Sequence, residues 1–258
     1  MCAKAVGAGI ENQPSVDAFL NNRFQVYQPT DGGHRAGLDA LLLAAAVPAK
    51  ATGALADFGA GSGVAGLAAL VAAPGLVNAD LYEVQPASAA LARRTCEELL
   101  PAGLAARVNI YETDVRSVRG NYTHIICNPP YNDEGHRVSP SAERATAHAI
   151  NDMKLSDWVE AARKCLAPGG QFSTICRASG LAEVSSALAD GFGAVRVLPI
   201  HSKVGQPATR IVVTAIKGRR TQLALLPGFV VHGEGGSFTP LADAIFKGEA
   251  RLPVCLPV

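Results

Sequence analysis

Thr123-His124-Ile125-Ile126-Cys127-Asn128-Pro129-Pro130-Tyr131 begins as a buried strand and stops short. Ile125, Ile126 and Cys127 form the apolar run of a strand covered on both faces. The two prolines end it, because neither has an N–H for a ladder and both fix φ at roughly −65°. The carboxyl ends of strands are where open α/β sheets bind ligands, and a stiff exit there is useful. Asn128 offers an amide oxygen, Pro129 a carbonyl with no N–H of its own, and Tyr131 a flat ring. Two acceptors beside a stacking face suit a planar group that carries an NH2. The same residues also read as a strand closed by an Asn-Pro turn with Tyr131 as packing, so the upstream sequence has to decide.

Upstream, Ala54 to Phe58 reads as a first strand, followed by Asp57-Phe58-Gly59-Ala60-Gly61-Ser62-Gly63 as a glycine-rich turn and Val64 to Ala73 as a helix. Ala79 to Val84 is a second strand, with Glu83 near its end, and Pro86 to Leu100 a second helix. Val108 to Tyr111 is a third strand, followed by Glu112-Thr113-Asp114. The strand entering Asn-Pro-Pro-Tyr is the fourth. Downstream come a helix from Leu155 to Leu166, capped by Ser156 or Asp152 and ended by Pro168-Gly169-Gly170, then a fifth strand from Gln171 to Cys176 and a helix from Leu181 to Ala189. Val195 to Ile200 and Thr209 to Lys217 are two β-branched runs, expected as a terminal β-hairpin. Strands alternating with helices at this pace imply an α/β, doubly wound, mostly parallel sheet.

Ahead of the sheet, Ser15 to Asn22 is expected as a short helix, Phe24 to Gln28 as a strand, and Ala40 to Val47 as a helix that Pro48 ends. This lead-in is placed to fold over whatever the sheet edge binds. The tail carries Phe229 to His232 and a short helix near Leu241 to Phe246. No linker or repeat divides the chain. It reads as a single domain, 1–258, with a lead-in (1–53), a core (54–218) and a carboxyl-terminal extension (219–258).

The 258 residues, 48% hydrophobic and 17% charged, suffice for one large core. A net charge of +1 gives no global basic field. The tail from His201 is locally basic, with Lys203, Arg210, Lys217, Arg219, Arg220, Lys247 and Arg251 against Glu234, Asp243 and Glu249. The six cysteines form no C-x-x-C pair and no metal spacing, which points to a reduced, cytoplasmic protein without a metal site. The start lacks a signal-peptide pattern, and the apolar run from Leu38 to Val47 is too short for a bilayer, so no membrane partner is expected. The polar insert from Asn132 to Asn151, with His136, Arg137, Glu143, Arg144 and His148, reads as a substrate loop.

Gly59, Gly61 and Gly63 follow a G-x-G-x-G spacing, not the dinucleotide G-x-G-x-x-G. With Asp57 just ahead, this leans toward a cofactor that has an amine and a carboxylate. Asp57 is a candidate partner for the ammonium, or a carboxylate capping the loop. Glu83 is a candidate for both hydroxyls of a ribose, or a surface acid before a helix. Asp114 is a candidate acceptor for an adenine amine, or an N-cap for Val115 onward.

In that order, the Asp57–Gly63 turn, Glu83, Asp114 and Asn128-Pro129-Pro130-Tyr131 resemble the class I S-adenosylmethionine-dependent methyltransferases. The tetrad is similar to that of enzymes methylating an amine conjugated to a π system, either adenine N6 or a glutamine amide. Gln28-Pro29, Gly33, Arg35, Leu38-Asp39 and Leu41 to Ala45 resemble the lead-in of the bacterial tRNA(Val) adenine N6-methyltransferases. Thr209-Arg210-Ile211, Lys217-Gly218, Val231-His232 and Phe238-Thr239 resemble that family's carboxyl end. The resemblance implies a seven-stranded Rossmann-like sheet and S-adenosyl-L-methionine held by Asp57, Gly59, Ala60, Gly61, Gly63, Glu83, Val84, Asp114, Val115 and Asn128. It implies catalysis by Asn128, Pro129, Pro130 and Tyr131, and an RNA partner, a tRNA anticodon loop, held by Arg35, Arg137, Arg144, Lys203 and Arg210. Glutamine methylation of a protein, or a cofactor-binding module without catalysis, stays open on the residues alone.

Overall fold

The lead-in forms a hairpin of its own in the computed structural model, which describes residues 13–30, 35–130 and 153–255. β1 (Ser15–Phe19) pairs antiparallel with β2 (Phe24–Gln28), from Ser15 opposite Gln28 to Phe19 opposite Phe24. The short helix expected from Ser15 is therefore a strand. The turn explains why: Leu20, Asn21 and Asn22 take φ of 49°, 56° and 62°, three left-handed residues in succession that no right-handed helix admits. α1 (Leu38–Ala44) follows and buries Ala40 through Ala44.

The main sheet starts at β3 (Gly53–Phe58), from which the glycine turn leads into α2 (Val64–Ala72), a helix buried from Val64 to Leu70. β4 (Leu76–Glu83), α3 (Pro86–Glu98), the single turn α4 (Ala102–Ala105) and β5 (Val108–Glu112) complete one wing. β6 (Tyr122–Cys127), α5 (Leu155–Cys165), β7 (Leu166–Arg177), α6 (Leu181–Leu188) and the hairpin β8 (Phe192–Lys203) and β9 (Ala208–Lys217) form the other. The strand order is β5-β4-β3-β6-β7-β9-β8, parallel across the first five, with β9 antiparallel to both β7 and β8. This is the expected seven-stranded core with its hairpin.

The hairpin is not the sheet's edge. β10 (Ala224–Leu225) and β11 (Phe229–His232) both pair parallel with β8 and bring the sheet to nine strands. α7 (Pro240–Phe246) then starts on a cap in which the Thr239 hydroxyl accepts the Ala242 N–H. The Pro168-Gly169-Gly170 segment also differs from expectation. β7 begins at Leu166, opposite Tyr122, residues 167–170 bulge out, and the ladder resumes with Gln171 opposite His124. The N-terminus of α5 is capped by Asp157, whose carboxylate accepts the Lys154 N–H at 2.9 Å, and not by Ser156, whose N–H goes to Glu183. Asp152 lies outside the described residues.

The sheet divides the apolar side chains into two layers. One buries Leu55, Ile126, Ile175 and Leu198 against α1 and α2, and the other buries Phe58, Ile125, Phe172 and Val197 with Trp158 and Val159 of α5. Among the described residues, no helix is long and apolar enough to cross a membrane.

Candidate active site

β3 and β6 are neighbours, with Phe58 opposite Cys127, so the glycine turn and Asn128 leave the sheet side by side at its carboxyl edge. Each side of this cleft is fixed by its own hydrogen bonds.

Gly59, Gly61 and Gly63 have φ of 71°, 57° and 90°, a region that side-chain-bearing residues rarely enter. The N–H groups of Gly59 and Ala60 both donate to the Tyr82 carbonyl, at 2.9 and 3.0 Å, which pins the turn to β4. A Cβ on Gly61 would meet no heavy atom within 4 Å, so this backbone faces open space. A Cβ on Gly59 would lie 2.8 Å from Trp158 Cη2.

Asp57 lies beneath the turn and is 1% exposed. Its Oδ2 accepts the Gly66 N–H at 2.8 Å, joining β3 to the first turn of α2. Burial pushes the carboxyl up to about 7. This bond reaches into α2, not to the glycine loop that the carboxylate was expected to cap. Glu83 is also buried, unlike a surface acid: Oε2 accepts the Gly61 N–H and Oε1 the Gln85 N–H, each at 2.8 Å. Those bonds aim the carboxylate and leave each oxygen a further lone pair.

Asp114 forms the N-cap anticipated as its second reading. Its Oδ1 accepts the Arg116 N–H at 2.8 Å, and the Arg116 guanidinium meets Oδ2 at 2.5 Å. Hydrogen bonding to Arg116 holds the Asp114 carboxyl below its ordinary value. To accept an adenine amine, Asp114 would share its oxygens with the Arg116 donors.

Gly59, Val84, Asp114 and Val115, all singled out in the sequence, line one hollow together with Tyr82, Thr113, Met153 and Trp158, which were not; Gly61 and Glu83 do not line it. Tyr82 and Thr113 adjoin predicted positions in the chain. Trp158 is the only tryptophan, but its place on an amphipathic helix reads as core. Gln28, noted only within the lead-in resemblance, is fully buried. Its Oε1 accepts the Ala36 N–H at 2.8 Å and the Ser62 hydroxyl at 3.4 Å, tying the lead-in to the glycine turn.

Asn128 Oδ1 is buried and has no hydrogen-bond partner among the described residues. Pro129 is buried and Pro130 exposed. Tyr131, Arg137 and Arg144 lie outside the described residues. Arg35 is engaged within the lead-in, 2.6 Å from Asp17, and Arg210 is 2.5 Å from Asp39 of α1. Arg210 stands opposite Arg177, and Lys203 ends β8, so both belong to the sheet edge that carries Asn128.

The open backbone at Gly61, the aimed carboxylate of Glu83 and a hollow lined by Trp158, whose buried indole N–H has no partner among the described residues, fit a cofactor made of an amino acid, a ribose and an adenine. Fold and site together define a methyltransferase that uses S-adenosylmethionine. The chain belongs to the methyltransferase small domain family, whose sequence model matches residues 35–204. It is 28% identical over 234 residues to a Shewanella protein (strain MR-4) named tRNA1(Val) (adenine(37)-N6)-methyltransferase, covering 86% of this chain and 94% of that one. The structure of a predicted O-methyltransferase from Agrobacterium tumefaciens is 32% identical, with a TM-score of 0.69 over 83% of this chain and 98% of that one. A glycopeptide N-methyltransferase solved with S-adenosylhomocysteine shares the fold, at a TM-score of 0.51 and 14% identity, over 73% of this chain and 93% of that one.

Proposed function

We propose that the protein methylates the exocyclic N6 of an adenine in RNA, in the anticodon loop of a tRNA. The observation that carries this reading is the buried Oδ1 of Asn128 at the end of β6, which has no partner among the described residues. A buried acceptor left unpaired is costly and rare, and is accounted for when a substrate donor completes it. The bound cofactor supplies an electrophilic methyl group on a sulfonium.

An adenine amine is a poor nucleophile because its lone pair is delocalised into the ring. Asn128 Oδ1 and the Pro129 carbonyl would each accept one of its N–H bonds, which favours a pyramidal nitrogen with a localised lone pair. Tyr131 would stack on the base, which must leave its own stack to enter, and loop nucleotides leave more cheaply than duplex ones. The rate gain then comes from positioning and from dipoles fixed in advance. Asp57 and Glu83 would hold the amino-acid and ribose parts of the cofactor. Lys203, Arg210 and Arg35, with Arg137 and Arg144, would meet phosphates. The net charge of +1 makes this grip local, so RNA affinity should fall with salt along a shallow slope.

The name carried by the Shewanella relatives supports the tRNA assignment. Glutamine methylation would use the same two acceptors, so the test must separate the two. Labelled S-adenosylmethionine is incubated with a tRNA transcript and, separately, with a protein extract, and products are digested and identified by mass spectrometry. N6-methyladenosine from the tRNA is the expected outcome. Label on a protein glutamine, with none on tRNA, would overturn the reading.

A further inference from the structure

Trp158 is 4% exposed, and its Nε1 has no hydrogen-bond partner among the described residues. The far edge of its ring lies against Gly59, where the glycine leaves just enough room for it. The same hollow has apolar walls from Val84, Val115 and Met153. Buried donors in folded proteins are nearly always paired, so an orphan N–H on a residue that lines a ligand hollow calls for an acceptor. A hollow with apolar walls beside an unpaired donor suits a flat heteroaromatic ring bearing an acceptor nitrogen.

We propose that the Trp158 indole N–H donates to a ring nitrogen of the cofactor's adenine, making Trp158 a cofactor-binding residue that the sequence motifs do not include. This rests on the reading that the hollow between β4 and α5 receives the adenine end of the cofactor. Apolar walls suit the faces of the base, and the ring nitrogens of adenine carry no hydrogen and accept. A hydrogen bond at this point fixes the plane and rotation of the base, and through it the position of the rest of the cofactor over the glycine turn.

The test uses S-adenosylhomocysteine and its 1-deaza, 3-deaza and 7-deaza analogues as probes. Trp158 is the only tryptophan, so intrinsic fluorescence reports on this ring alone. Saturable change in emission, with the dissociation constant that calorimetry gives, is expected for the wild-type protein. Trp158→Phe keeps an aromatic ring and removes the donor, and should bind S-adenosylhomocysteine about tenfold more weakly. One deaza analogue should bind the wild type about tenfold more weakly and bind Trp158→Phe no worse than S-adenosylhomocysteine does. The inference is overturned if Trp158→Phe binds with wild-type affinity, or if all three analogues bind the wild type like the parent compound. The analogue series needs only the wild-type protein, so it can overturn the inference even if the variant fails to fold. No binding of S-adenosylhomocysteine to the wild type would instead remove the cofactor assignment, and this inference with it.

Discussion

The Glu83 carboxylate accepts the Gly61 N–H at 2.8 Å and so ties the end of β4 to the turn after β3. Its second oxygen is held by the Gln85 N–H. The acid that would take the ribose hydroxyls is therefore oriented before any ligand arrives, by the same loop whose backbone faces open space at Gly61. Preorganisation of this kind lowers the cost of binding.

Glu83→Gln tests that arrangement. The amide keeps the shape, but it has one acceptor oxygen where two N–H donors and two hydroxyls require acceptors. Charge-assisted hydrogen bonds are worth about 1.5–3 kcal/mol each, so the dissociation constant for S-adenosylhomocysteine should rise at least about tenfold. Calorimetry checks it, and an unchanged constant would remove Glu83 from the cofactor site.

Asp57→Asn tests the buried carboxyl. Burial raises it from 3.8 to about 7, so the folded chain holds a proton that the unfolded chain has released across that window. The sign follows from linkage: stability is fully present below pH 3.8 and is lost as pH rises toward about 7, after which the penalty stays constant. Asparagine can still accept the Gly66 N–H and never ionises. Without cofactor, the melting temperature of Asp57→Asn relative to wild type should therefore increase between pH 5 and pH 8. A difference that is equal at both pH values would show that this carboxyl does not titrate there.

The parallel strands were legible because apolar runs are bounded by glycine or proline, as at residues 53–63 and 122–130. The lead-in was not, because the alternation of Ser15–Phe19 is only five residues long and acquires meaning from its pairing with Phe24–Gln28, a tertiary fact. Asp114 shows a different limit. Its sequence position allowed both an adenine acceptor and a cap, and only the contact with Arg116 shows which bonds the ligand-free carboxylate makes. Trp158 was invisible as a site residue because its helix carries the periodicity of a core helix, and only the packing of α5 on the sheet brings its ring to Gly59. β10 and β11 escaped because two- and four-residue strands carry too little pattern to read.

Gly59→Ala and Gly61→Ala separate backbone strain from crowding. Both glycines sit at positive φ, which costs an L-residue about 1–2 kcal/mol. At Gly59 the new methyl would also press on Trp158, whereas at Gly61 it enters open space. Gly59→Ala should therefore be the less stable in urea denaturation. Gly61→Ala should lose cofactor affinity by more than its stability loss explains, because its methyl projects where the cofactor would touch the backbone. Equal stabilities for the two variants would show that Trp158 moves aside at no cost.

Asn128→Ala bears most directly on the chemistry. The ligand-free protein makes no hydrogen bond to Oδ1 among the described residues, so deleting this acceptor removes a desolvated group without breaking a bond to it. The melting temperature should change little, and so should affinity for S-adenosylhomocysteine, since the glycine turn, Glu83 and the hollow beside Trp158 are untouched. Methyl transfer should collapse, because losing one preorganised polar contact at a reacting centre costs about 10²–10³ in rate. Single-turnover transfer to a tRNA transcript, measured beside thermal unfolding and calorimetry on the same preparation, separates the two possible roles of the residue. A large drop in melting temperature with near-normal transfer would make Asn128 the turn residue that an Asn-Pro sequence also suggests. Intact folding and cofactor binding with transfer reduced a hundredfold or more would place its oxygen on the amine being methylated.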